Sequence, residues 1–327
     1  MSVDFSHVQA AAELIAGRIN RTPILTSSIF NQKFGCEAFF KAECFQKTGS
    51  FKFRGATHSL LRLTDEQKAK GVLTFSSGNH AQALARAGRE MGIPITVVMP
   101  DDAPAVKKAA TEGYGAEVIL YIRDETSREA LGHQIVEERG LTLIPPYDHP
   151  SIVAGAGSVG LEIAQEVPDL DLVLVCCGGG GLLSGTAIGV HGIQPNAQVW
   201  GVEPDAGDDG CRSFATGTIQ KVENPRTVAD GAMTPYLGEI NFAVIQREVA
   251  GMTSVSDKAL MECTLFAWTR MKTFIEPTGA LAMAAIWEGK VDVKGKRVAV
   301  VFSGGNADPW LVLQQAAEQG VSLENLS

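Results

Sequence analysis

An α/β protein built on an open, largely parallel sheet is what this sequence predicts, and three observations predict it. Short runs rich in valine, isoleucine and leucine alternate with helical segments along the chain. Three of those runs end in small, polar or glycine-rich turns: 76–80, 178–182 and 303–306. A chain of 327 residues, 45% hydrophobic and 20% charged, carries enough apolar side chain for one large or two ordinary domains.

In order, the expected strands are 38–41, 72–75, 95–99, 117–121, 141–144, 172–176, 198–202, 251–255 and 297–302. The expected helices include 51–63, 81–91, 105–112, 127–138, 159–167, 183–192, 258–272 and 280–289. An amphipathic helix is expected within 1–20, and the chain ends soon after one that begins near Trp310, so no appended regulatory domain is expected. Strand–helix alternation covers a parallel sheet on both faces, and ligands bind such sheets beyond the carboxyl ends of the strands. The turn at the end of each strand is therefore where chemistry is sought.

Composition excludes several roles. The net charge of −9, without a long basic run, argues against nucleic acid or an anionic membrane as the main partner. Residues 1–20 lack the charged start and unbroken apolar run of a signal peptide, and no stretch is long and apolar enough to span a bilayer. The expected location is the cytoplasm. Cys36, Cys44, Cys176, Cys177, Cys211 and Cys263 show neither disulfide nor zinc spacing and read as buried thiols. There is no internal repeat or low-complexity linker.

Function concentrates in Gly49-Ser50-Phe51-Lys52-Phe53-Arg54-Gly55. Ser50 is a good N-cap for a helix over 51–63, which puts Lys52 in the first turn. The positive end of the helix dipole there disfavours a second positive charge and pushes the ammonium towards the neutral amine. A neutral amine attacks an aldehyde to form an imine. Read alone, a lysine between two phenylalanines is usually a snorkelling surface residue.

The strand ends supply the rest. Ser76-Ser77-Gly78-Asn79-His80 and Gly178-Gly179-Gly180-Gly181-Leu182 each open a helix, and Ser303-Gly304-Gly305-Asn306 closes the last strand. Backbone N–H groups of the four-glycine run, with a helix dipole behind them, suit a phosphate. Close packing of helix on strand is the other reading of such a run. It lacks the Lys-Ser/Thr of a P-loop and the spacing of a dinucleotide fingerprint, so a monophosphate fits better. A reactive lysine beside a monophosphate cradle is what pyridoxal 5′-phosphate (PLP) demands.

The chain resembles the fold-type II (tryptophan synthase β-like) PLP enzymes of the serine/threonine dehydratase and serine racemase family, including hydroxyaspartate dehydratases. The matching pieces are Lys47-Thr48-Gly49-Ser50-Phe51-Lys52-Phe53-Arg54-Gly55-Ala56, Ser76-Ser77-Gly78-Asn79-His80-Ala81-Gln82, the tetraglycine, Glu276-Pro277-Thr278-Gly279 and Ser303-Gly304-Gly305-Asn306. The resemblance implies two open parallel-sheet domains, a large one of 1–63 and 147–327 and a small one of 64–146, with the active site in the cleft. It implies Lys52 as the lysine joined to PLP, Phe51 packed on its ring, Asn79 on the ring hydroxyl, Gly178 to Leu182 on the phosphate and Ser303 on the pyridine nitrogen. It also implies a homodimer.

A neutral serine at the pyridine nitrogen makes the ring a poorer electron sink than an aspartate would, so loss of the α-proton should lead promptly to departure of a β-group or to reprotonation. Lys52 is the base on one face, and Ser76, Ser77, Gly78, Asn79 and His80 seat the substrate carboxylate. For His80 a helix-start residue satisfied by backbone competes with a proton shuttle. Ser77 divides the candidates: many threonine dehydratases of the family have alanine there, whereas serine racemases and several hydroxyaspartate dehydratases resemble this chain in having serine. Its hydroxyl can carry a proton on the face opposite Lys52, or only hydrogen-bond the carboxylate or the turn.

Glu203-Pro204-Asp205-Ala206-Gly207-Asp208-Asp209 comes directly after a strand. Its carboxylates and carbonyls offer oxygen ligands to Mg²⁺, Ca²⁺ or Mn²⁺, though the spacing equally suits a solvated acidic loop. The resemblance implies a structural divalent cation on Glu203, Asp209 and the Gly207 carbonyl. The expected function is a PLP-dependent dehydratase (ammonia-lyase) that converts serine, threonine or 3-hydroxyaspartate to a 2-oxo acid and ammonia. The alternatives are a serine racemase with side elimination, a β-replacement synthase, and a non-catalytic binding protein, which an intact Lys52 argues against. A distal substrate carboxylate would need a cation, for which Lys41, Arg54, Arg123 and Arg128 are candidates.

Overall fold

The computed structural model describes residues 3–76, 78–103, 105–122 and 127–322, with backbone alone over 105–107. Its strands are β1 (Ile24–Leu25), β2 (Glu37–Ala42), β3 (Val72–Phe75), β4 (Ile95–Pro100), β5 (Glu117–Tyr121), β6 (Thr142–Leu143), β7 (Leu172–Cys176), β8 (Gln198–Pro204), β9 (Gly251–Val255) and β10 (Arg297–Phe302). They form a six-stranded sheet, β1-β2-β10-β7-β8-β9, and a four-stranded sheet, β5-β4-β3-β6. Every pairing is parallel except β1 with β2. Each expected strand is present, its ends shifted by at most a few residues. β1 is an addition to the expected set, because two residues are too few to show a period.

The strand order of the large sheet reverses between β10 and β7: the chain builds β7, β8 and β9 outward, then returns to insert β10 beside β2. Helices leaving neighbouring strands to opposite faces open a crevice at such a point. The tetraglycine after β7 and Ser303 after β10 both stand at its rim.

Two cores serve the two sheets. The larger holds Phe40, Val173, Leu174, Val300 and Phe302. The core under the second sheet holds Val72, Leu84, Val97 and Met99, and draws in Phe53, Ala56 and Leu60 from helix Lys52–Leu61 and Ile152 from helix Pro150–Glu166. The lysine helix thus packs between the two sheets. We propose 64–146 as the smaller domain because it holds every strand of the second sheet.

Two local expectations are corrected. Helix Pro150–Glu166 begins well before the expected start at 159, across Gly155 and Gly157, residues that disfavour a helix on their own. Here they permit contact between helices: a Cβ on Gly155 would lie 2.8 Å from Gly55 Cα, and one on Gly160 would strike the backbone of Thr186. Ser50 does not cap the lysine helix; Phe51 is the N-cap, and the buried Ser50 hydroxyl has no partner. Ser50 is instead held by its backbone in a bridge with Gly304. Lys52 still begins the helix, in its first turn. Among the cysteines, Cys176, Cys177 and Cys263 are buried, whereas Cys36, Cys44 and Cys211 are only partly so.

Candidate active site

A cavity of about 790 Å³ opens at the carboxyl ends of β3, β7 and β10. Lys52 lines it, and its Nζ donates to the Pro146 carbonyl oxygen at 2.7 Å. Burial pushes the amine down to about 8, against the opposing pull of Cys176 and Glu276. The shift has the direction that the helix-start argument gives, with desolvation as its chief cause. Phe51 also lines the cavity, its ring centroid 5.1 Å from the lysine nitrogen.

The tetraglycine forms the facing wall. Gly181 and Leu182 start helix Gly181–His191, and Gly180 takes φ +90°, a conformation that favours glycine. A Cβ on Gly179 would run into the Tyr147 ring, and one on Gly178 would lie 3.3 Å from Thr234 Oγ1. That hydroxyl is buried without a partner beside the glycines. Close packing and an open helix start therefore coexist here. An amine, a helix N-terminus lined by glycine and an unused hydroxyl fit an aldehyde bearing one phosphate.

The remaining expected residues gather on the same cavity. Ser303 is 2% exposed at the end of β10 and lines it. Ser76, Gly78, Asn79 and His80 line it from β3, and the Ser76 Oγ accepts from the Gly78 N–H at 3.3 Å. Ser77 lies outside the described residues. Asn79 starts helix Asn79–Met91; its Nδ2 donates to Glu276 Oε1 at 2.7 Å, and its Oδ1 accepts from Asn306 Nδ2 at 2.9 Å. His80 is buried with its Nε2 3.4 Å from the Ile144 carbonyl oxygen, and burial pushes its imidazole down to about 3. It stays neutral, with its Nδ1 buried and without a partner.

The acidic loop is not simply solvated. Glu203, at the end of β8, and Asp209, at the start of helix Asp209–Thr216, are each 1% exposed. Glu203 accepts from the backbone N–H groups of Gly210 and Cys211 at 3.2 and 2.7 Å, and one Asp209 oxygen is buried without a partner. Burial raises Glu203 to about 8, helped by Asp209, and raises Asp209 to about 7. Two carboxylates that resist ionisation together are what a divalent cation relieves. Among the described residues no three His, Cys, Asp or Glu side chains group as a metal site, so a cation here needs the Gly207 carbonyl or water.

Of the candidate cations for a distal carboxylate, two are placed elsewhere. Arg54 is fully buried, donating to both oxygens of Glu43 and of Glu162 at 2.6–2.9 Å, and Lys41 donates to Glu162 at 2.7 Å. They brace the lysine helix against helix Pro150–Glu166. Arg123 lies outside the described residues. Arg128 lines the cavity, its guanidinium 5.5 Å from the Phe75 ring centroid and its Nε donating to Glu129 at 2.7 Å. Sequence reading assigns no role to Tyr147, Cys176 or Glu276, all of which line the cavity. Tyr147 stands just past the strand expected at 141–144, so inspection of every strand end finds it; Glu276 stands unassigned within a matching motif.

No helix among the described residues is long and apolar enough to cross a membrane. Residues 15–304 match the family described as pyridoxal-phosphate dependent enzyme. Serine racemase of Schizosaccharomyces pombe is 49% identical over 93% of this chain and 94% of its own. L-threo-3-hydroxyaspartate ammonia-lyase of Saccharomyces cerevisiae is 46% identical over 93% of each. The solved structure of maize serine racemase superposes with a TM-score of 0.92 at 35% identity, over 97% of this chain and 98% of that one.

Proposed function

We propose, for a chain that belongs to the pyridoxal-phosphate dependent enzyme family, that it is a dehydratase acting on a β-hydroxy amino acid with a distal carboxylate, 3-hydroxyaspartate being the simplest. It is a PLP-dependent enzyme of the ammonia-lyase and racemase kind, on the fold-type II architecture. One observation carries the choice of substrate: Arg128 lines the cavity, while Lys41 and Arg54 are consumed by Glu43 and Glu162. Serine and threonine have no distal carboxylate for that guanidinium, already paired with Glu129, to bind.

PLP, when bound, supplies an aldehyde for the substrate amine and an electron sink beside Cα. In this reading the glycine wall and the helix start at Gly181 would hold its phosphate, and Ser303 and Phe51, which line the same cavity, would serve its ring nitrogen and its ring face. Lys52 takes the α-proton, and its depressed basicity leaves a useful neutral fraction near neutral pH. The helix start at Asn79 holds the α-carboxylate and Arg128 the distal one, which fixes Cα in front of the lysine. The β-hydroxyl would leave as water, taking a proton supplied near the cofactor phosphate, as the electrons of the broken Cα–H bond form the Cα–Cβ double bond; the released enamine takes up water to give a 2-oxo acid and ammonia. We further propose a structural Mg²⁺, Ca²⁺ or Mn²⁺ on Glu203, Asp209 and the Gly207 carbonyl, and a homodimer.

The test compares release of 2-oxo acid from 3-hydroxyaspartate, serine and threonine by wild type and Arg128→Met. Arg128→Met should cost about a hundredfold in kcat/KM for 3-hydroxyaspartate and leave serine within a few-fold, as expected for one unpaired buried charge. Equal loss on all three substrates, or a wild type that prefers serine, removes the distal-carboxylate reading. Amino-acid racemisation is the second reading, supported by the 49% identity to a serine racemase. Inversion of substrate with little 2-oxo acid would put it first.

A further inference from the structure

The segment entering the lysine helix is strained. Thr48 sits at φ 60°, ψ 15°, a left-handed conformation that a β-branched residue rarely adopts. Its hydroxyl is buried without a partner, so the side chain gains no hydrogen bond from the arrangement. Something else holds the backbone there. The segment is stitched to the turn after β10: Gly305 N–H donates to the Gly49 carbonyl at 2.9 Å, Phe51 N–H to the Ser303 carbonyl at 3.0 Å, and Ser50 bridges Gly304. At the strained residue itself the stitch is a side chain, Asn306, whose Nδ2 donates to the Thr48 carbonyl at 2.7 Å.

The same Nδ2 reaches Asn79 Oδ1 at 2.9 Å. A primary amide has two N–H donors, and here one goes to each side of the cleft. Asn79 is thereby oriented with its own Nδ2 on Glu276 Oε1 at 2.7 Å. Gly49, at φ +71°, passes so close that a Cβ there would lie 2.5 Å from Asn306 Oδ1. The turn over Thr48 is also closed by the Gly49 N–H, which donates to the Gln46 carbonyl oxygen at 2.8 Å; loss of Asn306 would remove the side-chain bond at Thr48 and leave its strain to that turn and to the stitches with 303–305.

We propose that Asn306 is a positioning residue: it holds Thr48 in its strained conformation and orients the Asn79 amide, and so sets where the Lys52 helix begins relative to helix Asn79–Met91. The proposal rests on the reading that Lys52 is the reactive lysine. It makes a sharp demand on glycine, which takes the Thr48 conformation without strain. In Thr48→Gly the chain has no reason to relax, so that change should rescue the loss of Asn306.

The experiment uses Asn306→Ala, Thr48→Gly and the double variant, with two readouts. The first is the pH profile of Lys52 acetylation in protein freed of cofactor, read by mass spectrometry; the second is the split between kcat and KM on 3-hydroxyaspartate. Asn306→Ala should move the Lys52 midpoint up by about one unit towards the ordinary lysine value, as a displaced amine regains water, and lower kcat about tenfold or more with a smaller change in KM. Thr48→Gly alone should leave both within about twofold of wild type, and the double variant should recover the midpoint and most of kcat. Should Asn306→Ala fail to fold, Asn306→Asp keeps the shape and removes both donors. An unchanged Lys52 midpoint in a folded Asn306 variant, or no rescue by Thr48→Gly, overturns the proposal. The acetylation profile does not depend on turnover, so an error about Lys52 chemistry would show separately, as activity retained by Lys52→Ala.

Discussion

The Lys52 amine nitrogen lies 2.7 Å from the Pro146 carbonyl oxygen, to which it donates. Pro146 stands on the segment that carries the chain from β6, in the second sheet, back to helix Pro150–Glu166 under the first. Lys52 is thus hydrogen-bonded to the segment that joins the two sheets.

Lys52→Ala should abolish turnover and the absorbance at the edge of the visible range that a lysine joined to PLP gives. A difference spectrum of wild type against variant, with 2-oxo acid release, checks both. Full activity in the variant would remove the proposed chemistry, and a binding protein would show no such dependence.

The lowered lysine value has a sign in stability. Lys52 releases its proton near 8 when folded and near its ordinary value of about 10.4 when unfolded. Between those values the unfolded chain binds more protons, so stability rises with pH through that window, and below it the half-buried ammonium carries a cost that the water of the open cavity reduces. Without cofactor, Lys52→Met should therefore melt on the order of a few degrees above wild type at neutral pH, with the gap closing as pH rises through the window. A gap that stays constant would contradict the buried, depressed lysine.

Chelation should lower thermal stability, and added Mg²⁺ or Ca²⁺ should restore it, because an ion bound only by the folded state stabilises it by mass action. Glu203→Gln and Asp209→Asn should each blunt the response in melting curves taken with and without chelator. If neither chelator nor ion moves the melting temperature and the folded protein carries no metal, the two carboxylates simply share protons.

Ser77 separates elimination from racemisation. Elimination from an L-substrate needs only Lys52 to take the α-proton, so Ser77→Ala should keep a substantial part of it. Racemisation needs a proton on the opposite face and should fall by the hundredfold to ten-thousandfold, roughly, that a general acid or base contributes. Assays of 2-oxo acid beside the D/L ratio of the remaining amino acid distinguish these outcomes. Elimination that vanishes without Ser77 would make Ser77 the principal base.

By itself the sequence determined the strands, the lysine and the glycine wall, because each is a local property. A parallel strand buried on both faces is a continuous apolar run, as 172–176 and 297–302 are. Anion-binding turns demand small residues at fixed positions after a strand, and 178–181 supplies them. Tertiary structure alone decided which of the candidate charges line the cavity. Lys41, Arg54 and Arg128 are equivalent in a sequence, yet Glu43 and Glu162 neutralise the first two in the interior while the third reaches the cavity wall. It also decided that glycines near 155–160 build a helix, because their value lies in the approach of a second backbone, from Gly55 and Thr186. The strained Thr48 belongs to the same class: its conformation is set by Asn306, a residue distant in sequence, through a hydrogen bond that exists only once the two segments meet.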